Sequence, residues 1–245
     1  MKKNENTWQS LSIPYDLGLH EAITQHHHAA QFLSLAGKQL IPQRDDDSHT
    51  SMQYHPENQR LMGEEIAPGV RLSLLLSDFS LGVVKNGILS ASSVSLLGIN
   101  QSNAFIKASH MLNLEGIKTI IFNSKLHYDM PDHELLHGSL FKENEAQFIQ
   151  EHIKYRHNAR LVLQKIGEHH PHADIIRVWP HHFDTGTILP LHSNSRGEIT
   201  RSVGMGWAIP DSMVNEPYYY LSAWSVNALK FPEKMPKLEL RSFTP

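Results

Sequence analysis

The sequence predicts an α+β fold, in which a predominantly antiparallel, twisted sheet packs against about three main helices. Runs that alternate apolar and polar residues outnumber the stretches with a helical period, and few helices separate consecutive strands. The 245 residues suffice to bury a sizeable core, and no Gly/Ser-rich or Pro-rich linker divides them. We therefore expect a single domain over 1–245, with possible sub-halves at 1–122 and 141–245.

The first helix is predicted over 19–40, where apolar residues recur every three or four positions. His26 lies in this apolar stripe, whereas His27 and His28 are expected to point elsewhere. The acidic segment 44–49 that follows is typical of a solvated loop.

Residues 70–97 are predicted to form strands. Their apolar alternation changes parity at Asp78, which implies a turn or bulge there. Asn86-Gly87 is a two-residue hairpin signal, because both residues tolerate a positive φ. A helix is expected next over about 102–113, capped by its first residues, and 117–122 predicts a short strand.

The most regular helical period of the chain covers 142–166. It places His152 toward the core, and Gly167 is positioned to end the helix. Four strand-like runs follow at 174–184, 199–209, 218–225 and 238–243.

The run 199–209 has one bulky face and one nearly bare face, which contains Gly204 and Gly206. A bare face implies a close neighbour, either a packed element or a ligand, and packing is the commoner use. The next run has three aromatic residues on one face, which suit a ligand wall or an ordinary core. These residues are Tyr218, Tyr220 and Trp224.

The most informative segment is Trp179-Pro180-His181-His182-Phe183-Asp184, which ends a strand-like run with two imidazoles and a carboxylate. If the strand continues past Pro180, His182 and Asp184 share one face. They would then serve as a catalytic base with its orienting carboxylate, or as two metal ligands. Because proline lacks an N–H, the alternation could also fail there, which would leave a loop with partly buried histidines.

Any metal bound here would need histidine, carboxylate or carbonyl-oxygen ligands, because the chain has no cysteine. Its 18 histidines supply many candidates and also make accidental motifs common. Imidazole with carboxylate suits Zn²⁺, Mn²⁺, Ni²⁺ or Fe²⁺, and the sequence decides neither the metal nor whether one binds. The indicated ligands are His181, His182, Asp184, Glu216 and His49.

We expect a functional pocket between the strand-like runs 174–184 and 199–209, which would pair as an antiparallel hairpin. With the turn centred near Asn194, opposed residue numbers sum to about 388. This register sets Asp184 opposite Gly204 and His182 opposite Gly206, beside a floor without side chains. A slip of one residue would fill the same space with aromatic rings.

The segment His133-Glu134-Leu135-Leu136-His137 matches the H-E-x-x-H pattern of zinc metallopeptidases over five residues. Pro131 and Gly138 confine any helix here to about two turns, and the extended third-ligand pattern is absent. We therefore predict that this segment is not a protease site.

The composition excludes some partners and leaves two functions open. A net charge of −3 without a basic stripe disfavours nucleic acid, and no apolar run suggests a membrane span or an export signal, so we expect a cytoplasmic protein. The first function is a non-catalytic small-ligand-binding or scaffold protein with structural histidines. The alternative is a metal-dependent or His/Asp acid–base hydrolase acting on a small polar substrate.

The last third of the chain resembles bacterial proteins that have no assigned function. The resemblance is carried by Trp-Pro-His-His-Phe-Asp at 179–184 and by Glu-Pro-Tyr-Tyr-Tyr-Leu-Ser-Ala-Trp at 216–224. It implies no catalytic residue, cofactor or mechanism.

Overall fold

The protein forms one nine-stranded antiparallel sheet with three α-helices, in a computed structural model that describes residues 6–119 and 123–227. The predicted α+β class is therefore confirmed. The strands are β1 (Met52–His55), β2 (Arg60–Ala67), β3 (Val70–Leu75), β4 (Ser80–Lys85), β5 (Ile88–Ser95), β6 (Arg177–Val178), β7 (Thr185–Ser193), β8 (Ile199–Ala208) and β9 (Tyr218–Ser225). Their order across the sheet is β5-β4-β3-β2-β1-β6-β7-β8-β9.

Strands from both predicted sub-halves belong to this one sheet. They join where β1 pairs with β6 at a single position, Met52 opposite Val178. The hairpin signal at Asn86-Gly87 is confirmed, since both residues have positive φ between β4 and β5. The change of parity at Asp78 corresponds to the turn between β3 and β4.

The helices are α1 (Leu17–Leu40), α2 (Gln101–Leu114) and α3 (Ala146–His169), with 3₁₀ helices at Ser48–Thr50 and Glu134–His137. Asp16 caps α1 by accepting the N–H of Leu19, and Asn100 caps α2 by accepting the N–H of Asn103. The cap of α2 thus lies before the helix predicted from sequence. The predicted end of α3 at Gly167 is wrong, because the helix continues to His169.

Helix α1 is buried over most of its length, because it packs against both the sheet and α3. His26 lies in the core as predicted, but His27 and His28 are also buried, so the prediction that they point elsewhere is wrong. The reason is that an element covered on several sides has no free polar face. Gly37 permits a close neighbour here, since a Cβ on it would lie 2.1 Å from the carbonyl oxygen of His49.

Three strand predictions require correction or fall outside the described residues. The run 174–184 contains only the two-residue strand β6. Residues 117–119 form no strand, and the rest of the predicted strand 117–122 lies outside the described residues. The run 238–243 lies wholly outside them. Among the described residues, no helix combines the length and apolar character needed to cross a membrane.

Candidate functional site

The segment Trp179–Asp184 is a tight loop between β6 and β7, not the continuation of a strand. The N–H of Trp179 donates to the carbonyl oxygen of Asp184 at 3.0 Å, which closes the loop. Phe183 has a left-handed backbone with φ of 53°, which is strained for a residue other than glycine. The alternation assumed from sequence therefore fails. Phe183 enters the core, while His181, His182 and Asp184 line a cavity.

Helix α1 anchors this loop through the carbonyl oxygen of Pro180. That oxygen accepts hydrogen bonds from Nε2 of His27 at 2.8 Å and from Nε2 of Gln31 at 2.9 Å. The ring of His27 also stacks on Phe183, with 5.0 Å between the centroids. Burial lowers the pKa of His27 to about 3, so its ring is neutral and its single N–H is used to hold the loop.

Two glycines form a floor without side chains beside the loop. Gly186 of β7 lies directly opposite Gly206 of β8, and Tyr220 of β9 is the cross-strand neighbour of Gly206. A Cβ on Gly186 would lie 2.7 Å from the hydroxyl oxygen of Tyr220, and a Cβ on Gly206 would lie 2.6 Å from it. The bare floor thus lets Tyr220 reach Asp184, to whose Oδ2 it donates at 2.5 Å.

Asp184 is a buried carboxyl group with one oxygen available. Its side chain is 8% exposed, and burial raises its pKa, while the hydrogen bond from Tyr220 and the nearby His181 and His182 oppose that rise. Among the described residues, no side chain or backbone N–H of another residue donates to Oδ1. The rings of His181 and His182 lie 4.5 Å apart, and burial lowers the pKa of His181. The site therefore offers a carboxyl group, a neutral imidazole and a phenol.

The guanidinium of Arg156 lies on the core side of Asp184. It is fully buried between the rings of Phe183 and Trp207, at 4.1 and 5.3 Å from their centroids. It donates to the carbonyl oxygen of Phe183 at 3.2 Å and to Oγ1 of Thr185 at 2.9 Å. Burial lowers its pKa to about 9, so it remains a cation at neutral pH. Arg156 thus fixes both residues that flank Asp184.

A chain of neutral histidines continues from Arg156 into the core. Nη2 of Arg156 lies 3.2 Å from Nε2 of His152, Nδ1 of His152 lies 2.9 Å from Nδ1 of His26, and Nε2 of His26 lies 2.9 Å from the carbonyl oxygen of Leu76. Because arginine only donates, the pattern assigns the proton of His152 to Nδ1 and that of His26 to Nε2. The expectation that His152 faces the core is confirmed, since it is fully buried.

A cavity of about 1350 Å³ lies between the start of α1, the loop 179–184 and the segment 208–222. Most of its wall is aromatic or aliphatic, and the loop 179–184 and Tyr220 contribute polar groups to it. The wall includes Tyr15, Trp179, Ile188, Ile209, Met213 and Tyr218.

Five of the residues predicted from sequence line this cavity, namely His181, His182, Asp184, Tyr218 and Tyr220. The two predicted glycines, Gly204 and Gly206, do not line the cavity, because side chains of β9 cover them. Gly206 is covered by Tyr220, and a Cβ on Gly204 would come 2.5 Å from Oγ of Ser222. Trp224 does not line the cavity, because it lies farther along β9 with its side chain half exposed.

The proposed metal ligands do not assemble into one cluster. Glu216 is exposed outside the cavity wall, and His49 is buried near α1, where its Nδ1 accepts the N–H of Arg44 at 3.3 Å. Neither joins His181, His182 and Asp184 in a group of three ligand atoms within 4.8 Å. Within residues 6–119 and 123–227, such a group forms elsewhere, from Glu21, His133 and Glu134.

The predicted strand register is wrong, although the cavity lies where the two segments meet. The partner of β8 is β7, which begins after Asp184, and Gly186 lies opposite Gly206 and Ile188 opposite Gly204. Opposed numbers therefore sum to 392, because the turn centres at 194–198, beyond the assumed position. Asp184 therefore lies next to Gly186 and Gly206 because it immediately precedes β7, and it is not paired with a residue of β8.

Sequence reasoning missed several residues that build the site. Gly186 lies in an Asp-Thr-Gly-Thr segment, whose composition is typical of an ordinary turn. Arg156 lies in α3, where the helical period gives it no special role. His27 sits in a run of three histidines, which was the only signal that could have indicated it. Tyr15 and Asp211 carried no local signal, because only the fold brings their segments to the cavity.

The zincin-like segment has a structural explanation. Glu134–His137 is a 3₁₀ helix, in which residues four apart do not share a face. His137 pairs with Asp132 at 2.8 Å, whereas Nε2 of His133 lies 3.1 Å from Glu21. Nδ1 of His133 accepts the N–H of Leu135, so its proton lies on Nε2 and is donated to Glu21. That nitrogen has no lone pair for a metal.

We expect that zinc will not change the melting temperature of the protein. We also expect that the protein will cleave no peptide when zinc is added. His133 already serves as a helix cap and as a donor to Glu21, and Glu134 pairs with Lys142. Thermal melts with and without Zn²⁺, on protein purified without an affinity tag, check this. A zinc-dependent stabilisation that disappears in His133→Gln but survives in His137→Gln would contradict it.

No family model matches the chain, and neither a curated protein nor a solved structure matches it significantly. The resemblance of the segments 179–184 and 216–224 to bacterial proteins therefore stays a prediction. Function must be argued from the geometry of the site.

Proposed function

We propose that this protein binds a small organic molecule in the cavity of about 1350 Å³ between α1, the loop 179–184 and the segment 208–222. The observation that carries the proposal is the arrangement of its wall. Aromatic and aliphatic side chains form most of the surface, and within it Tyr220 is hydrogen-bonded to Asp184, with His181 close enough to affect the pKa of that carboxyl group. Such an arrangement is typical of sites that enclose an apolar body and orient a polar group.

The rigidity of the loop 179–184, which carries Asp184, supports the same function. The loop that carries Asp184 is closed by its own backbone, held to α1 through Pro180, and held to α3 through Arg156. A strained residue, Phe183, is kept in place by these contacts. A site held in one geometry before binding loses less entropy when its ligand arrives.

We expect Ile188→Arg to abolish binding of any ligand that enters this cavity. Ile188 lies on the wall and is partly exposed, so an arginine fits there without disturbing the core and projects into the cavity. A panel of small molecules with aromatic or aliphatic bodies would be screened by thermal stabilisation, and hits would be measured by calorimetry.

The matched control is Ile106→Arg, which makes the same change at an exposed position of α2. It should retain the affinity of the unaltered protein. The proposal fails if no member of the panel binds, or if binding is equally strong in the Ile188→Arg variant.

One observation favours acid–base catalysis as a second function. Asp184 is a buried carboxyl group with a raised pKa, and it lies beside His181 and His182 in the cavity. A group of this kind can exchange a proton with a bound substrate. Hydrolysis of small esters or amides that is lost in Asp184→Asn, with ligand affinity retained, would support this function over binding alone.

A further inference from the structure

The cavity wall carries both imidazoles and carboxyl groups. The imidazoles are those of His20, His27, His181 and His182. Four carboxyl groups line the cavity, and no lysine or arginine of the described chain does so. They are Asp16, Asp46, Asp184 and Asp211. The hydrogen bond from Tyr218 at 2.6 Å lowers the pKa of Asp211, so this group is ionised at neutral pH. An anionic ligand would meet like charges here without any lysine or arginine to pair with.

Three of these carboxyl groups also serve the backbone. Asp16 caps α1, Asp46 accepts the N–H of Ser48, and Asp211 accepts the N–H groups of Met213 and Val214. Asp184 differs, because it is buried and its Oδ1 accepts no hydrogen bond from another described residue. Asp184 lines the cavity, so its Oδ1 is an acceptor that a donor on a ligand can use.

The neighbouring cations do not neutralise this surface. Arg156 balances the charge of Asp184 from the core side, yet its hydrogen bonds go to Phe183, Thr185 and His152. Arg177 is hydrogen-bonded to Asp174, but its guanidinium also lies 5.9 Å from the ring centroid of Trp179, and its charge lowers the pKa of Asp46. Two of the four carboxyl groups, Asp184 and Asp46, thus have an arginine near them, but neither arginine lines the cavity, and a ligand inside it would face the carboxyl groups.

Aromatic faces complete the surface. Tyr15, Trp179, Tyr218 and Tyr220 all line the cavity. The hydroxyl groups of Tyr218 and Tyr220 donate to Asp211 and Asp184, which keeps these phenols neutral and orients their rings. A cation over such a ring is attracted by its negative face, most strongly where water is excluded.

We propose that the cavity selects organic cations, specifically a primary ammonium group on an aromatic or aliphatic body, with Asp184 as the acceptor of its hydrogen bond. This inference rests on the small-molecule function proposed above and specifies the class of ligand. The ammonium group supplies the donor that Oδ1 of Asp184 lacks, and the rings surround its positive charge.

The test compares three compounds with the same phenyl body and different head groups: 2-phenylethylammonium, 2-phenylethanol and phenylacetate. Calorimetry at pH 7.5 should give the ammonium compound an affinity at least about tenfold above that of the alcohol, with phenylacetate the weakest. Asp184→Asn and Asp211→Asn should each reduce this preference. Asp211→Asn keeps the oxygen that holds its turn, so this variant should fold normally.

Asp78→Asn, in the turn between β3 and β4, is the matched control and should leave the preference unchanged. Equal or tighter binding of the alcohol or of phenylacetate would overturn the cation preference while leaving the binding function intact. Binding of other panel members without any of the three compounds would overturn it as well. If nothing in the broader panel binds, the proposed function itself fails.

Discussion

Acidification from pH 7 to pH 5 should remove most of the free energy of unfolding. Burial lowers the pKa of His26 to about 4, of His27 to about 3 and of His28 to about 4, and it holds the pKa of His152 well below its ordinary value. In the unfolded chain each would titrate near pH 6.5. The stability is therefore fully present above about pH 6.5 and is lost as the pH falls toward the folded-state values.

The expected loss is large because four groups act in the same direction. At pH 5 each histidine costs about 2 kcal/mol, so together they cost roughly 8 kcal/mol, against a typical total of about 5–15 kcal/mol. The contact between Nδ1 of His26 and Nδ1 of His152 adds a geometric reason. Protonation of His26 would place two N–H groups face to face at this contact, and protonation of His152 would do the same at Nη2 of Arg156.

Urea unfolding at pH 7, 6 and 5 measures this loss. Carboxyl groups with ordinary pKa values titrate below this range, and the raised pKa of Asp184 acts in the opposite direction, so the histidines account for the loss. The slope of the free energy of unfolding against pH gives the number of protons taken up on unfolding, and His152→Gln should reduce that number by about one. His137→Gln, which removes an exposed imidazole, is the control. A free energy of unfolding that stays constant from pH 7 to 5 would show that these histidines are not buried as neutral groups.

Arg156→Ala should destabilise the protein by about 3–5 kcal/mol, the range for breaking a buried charged network. The substitution removes a fully buried side chain from between Phe183 and Trp207. It also leaves the carbonyl oxygen of Phe183 and the hydroxyl of Thr185 without this donor. Denaturant unfolding at pH 7.5 measures the change.

Arg196→Ala is the control, because this arginine lies in the hairpin turn with its side chain 80% exposed, and its loss should change stability by less than about 0.5 kcal/mol. Arg156→Lys should also destabilise the protein, since a lysine ammonium cannot reproduce the planar guanidinium group with its several N–H donors. A loss below about 1 kcal/mol in Arg156→Ala would mean that Arg156 does not hold the loop.

The elements that the sequence predicted well are those with a local cause. The period of 19–40 and of 142–166 predicted α1 and α3, because a buried helical face repeats every three to four residues. Asn86-Gly87 predicted its hairpin because the turn itself requires positive φ. The bare face of 199–209 correctly indicated a close neighbour, which is Tyr220 at Gly206 and Ser222 at Gly204.

The loop at 179–184 shows where local reasoning fails. Its alternation resembles that of a strand, but the chain turns, and Phe183 takes a strained conformation. Contacts with α1 and α3, which are distant in sequence, hold it there. No pattern within six residues can encode such contacts.

By itself, the sequence determined the fold class, the main helices, the hairpin and the segment on which the candidate site lies. The tertiary structure alone decided the register of β7 on β8, the burial of His27 and His28, and the pairing of Tyr220 with Asp184. It also decided that the zincin-like segment is a capped 3₁₀ helix. The physical reason is that helix period and turn conformation depend on neighbouring residues, whereas register, burial and side-chain partners depend on which distant elements pack together.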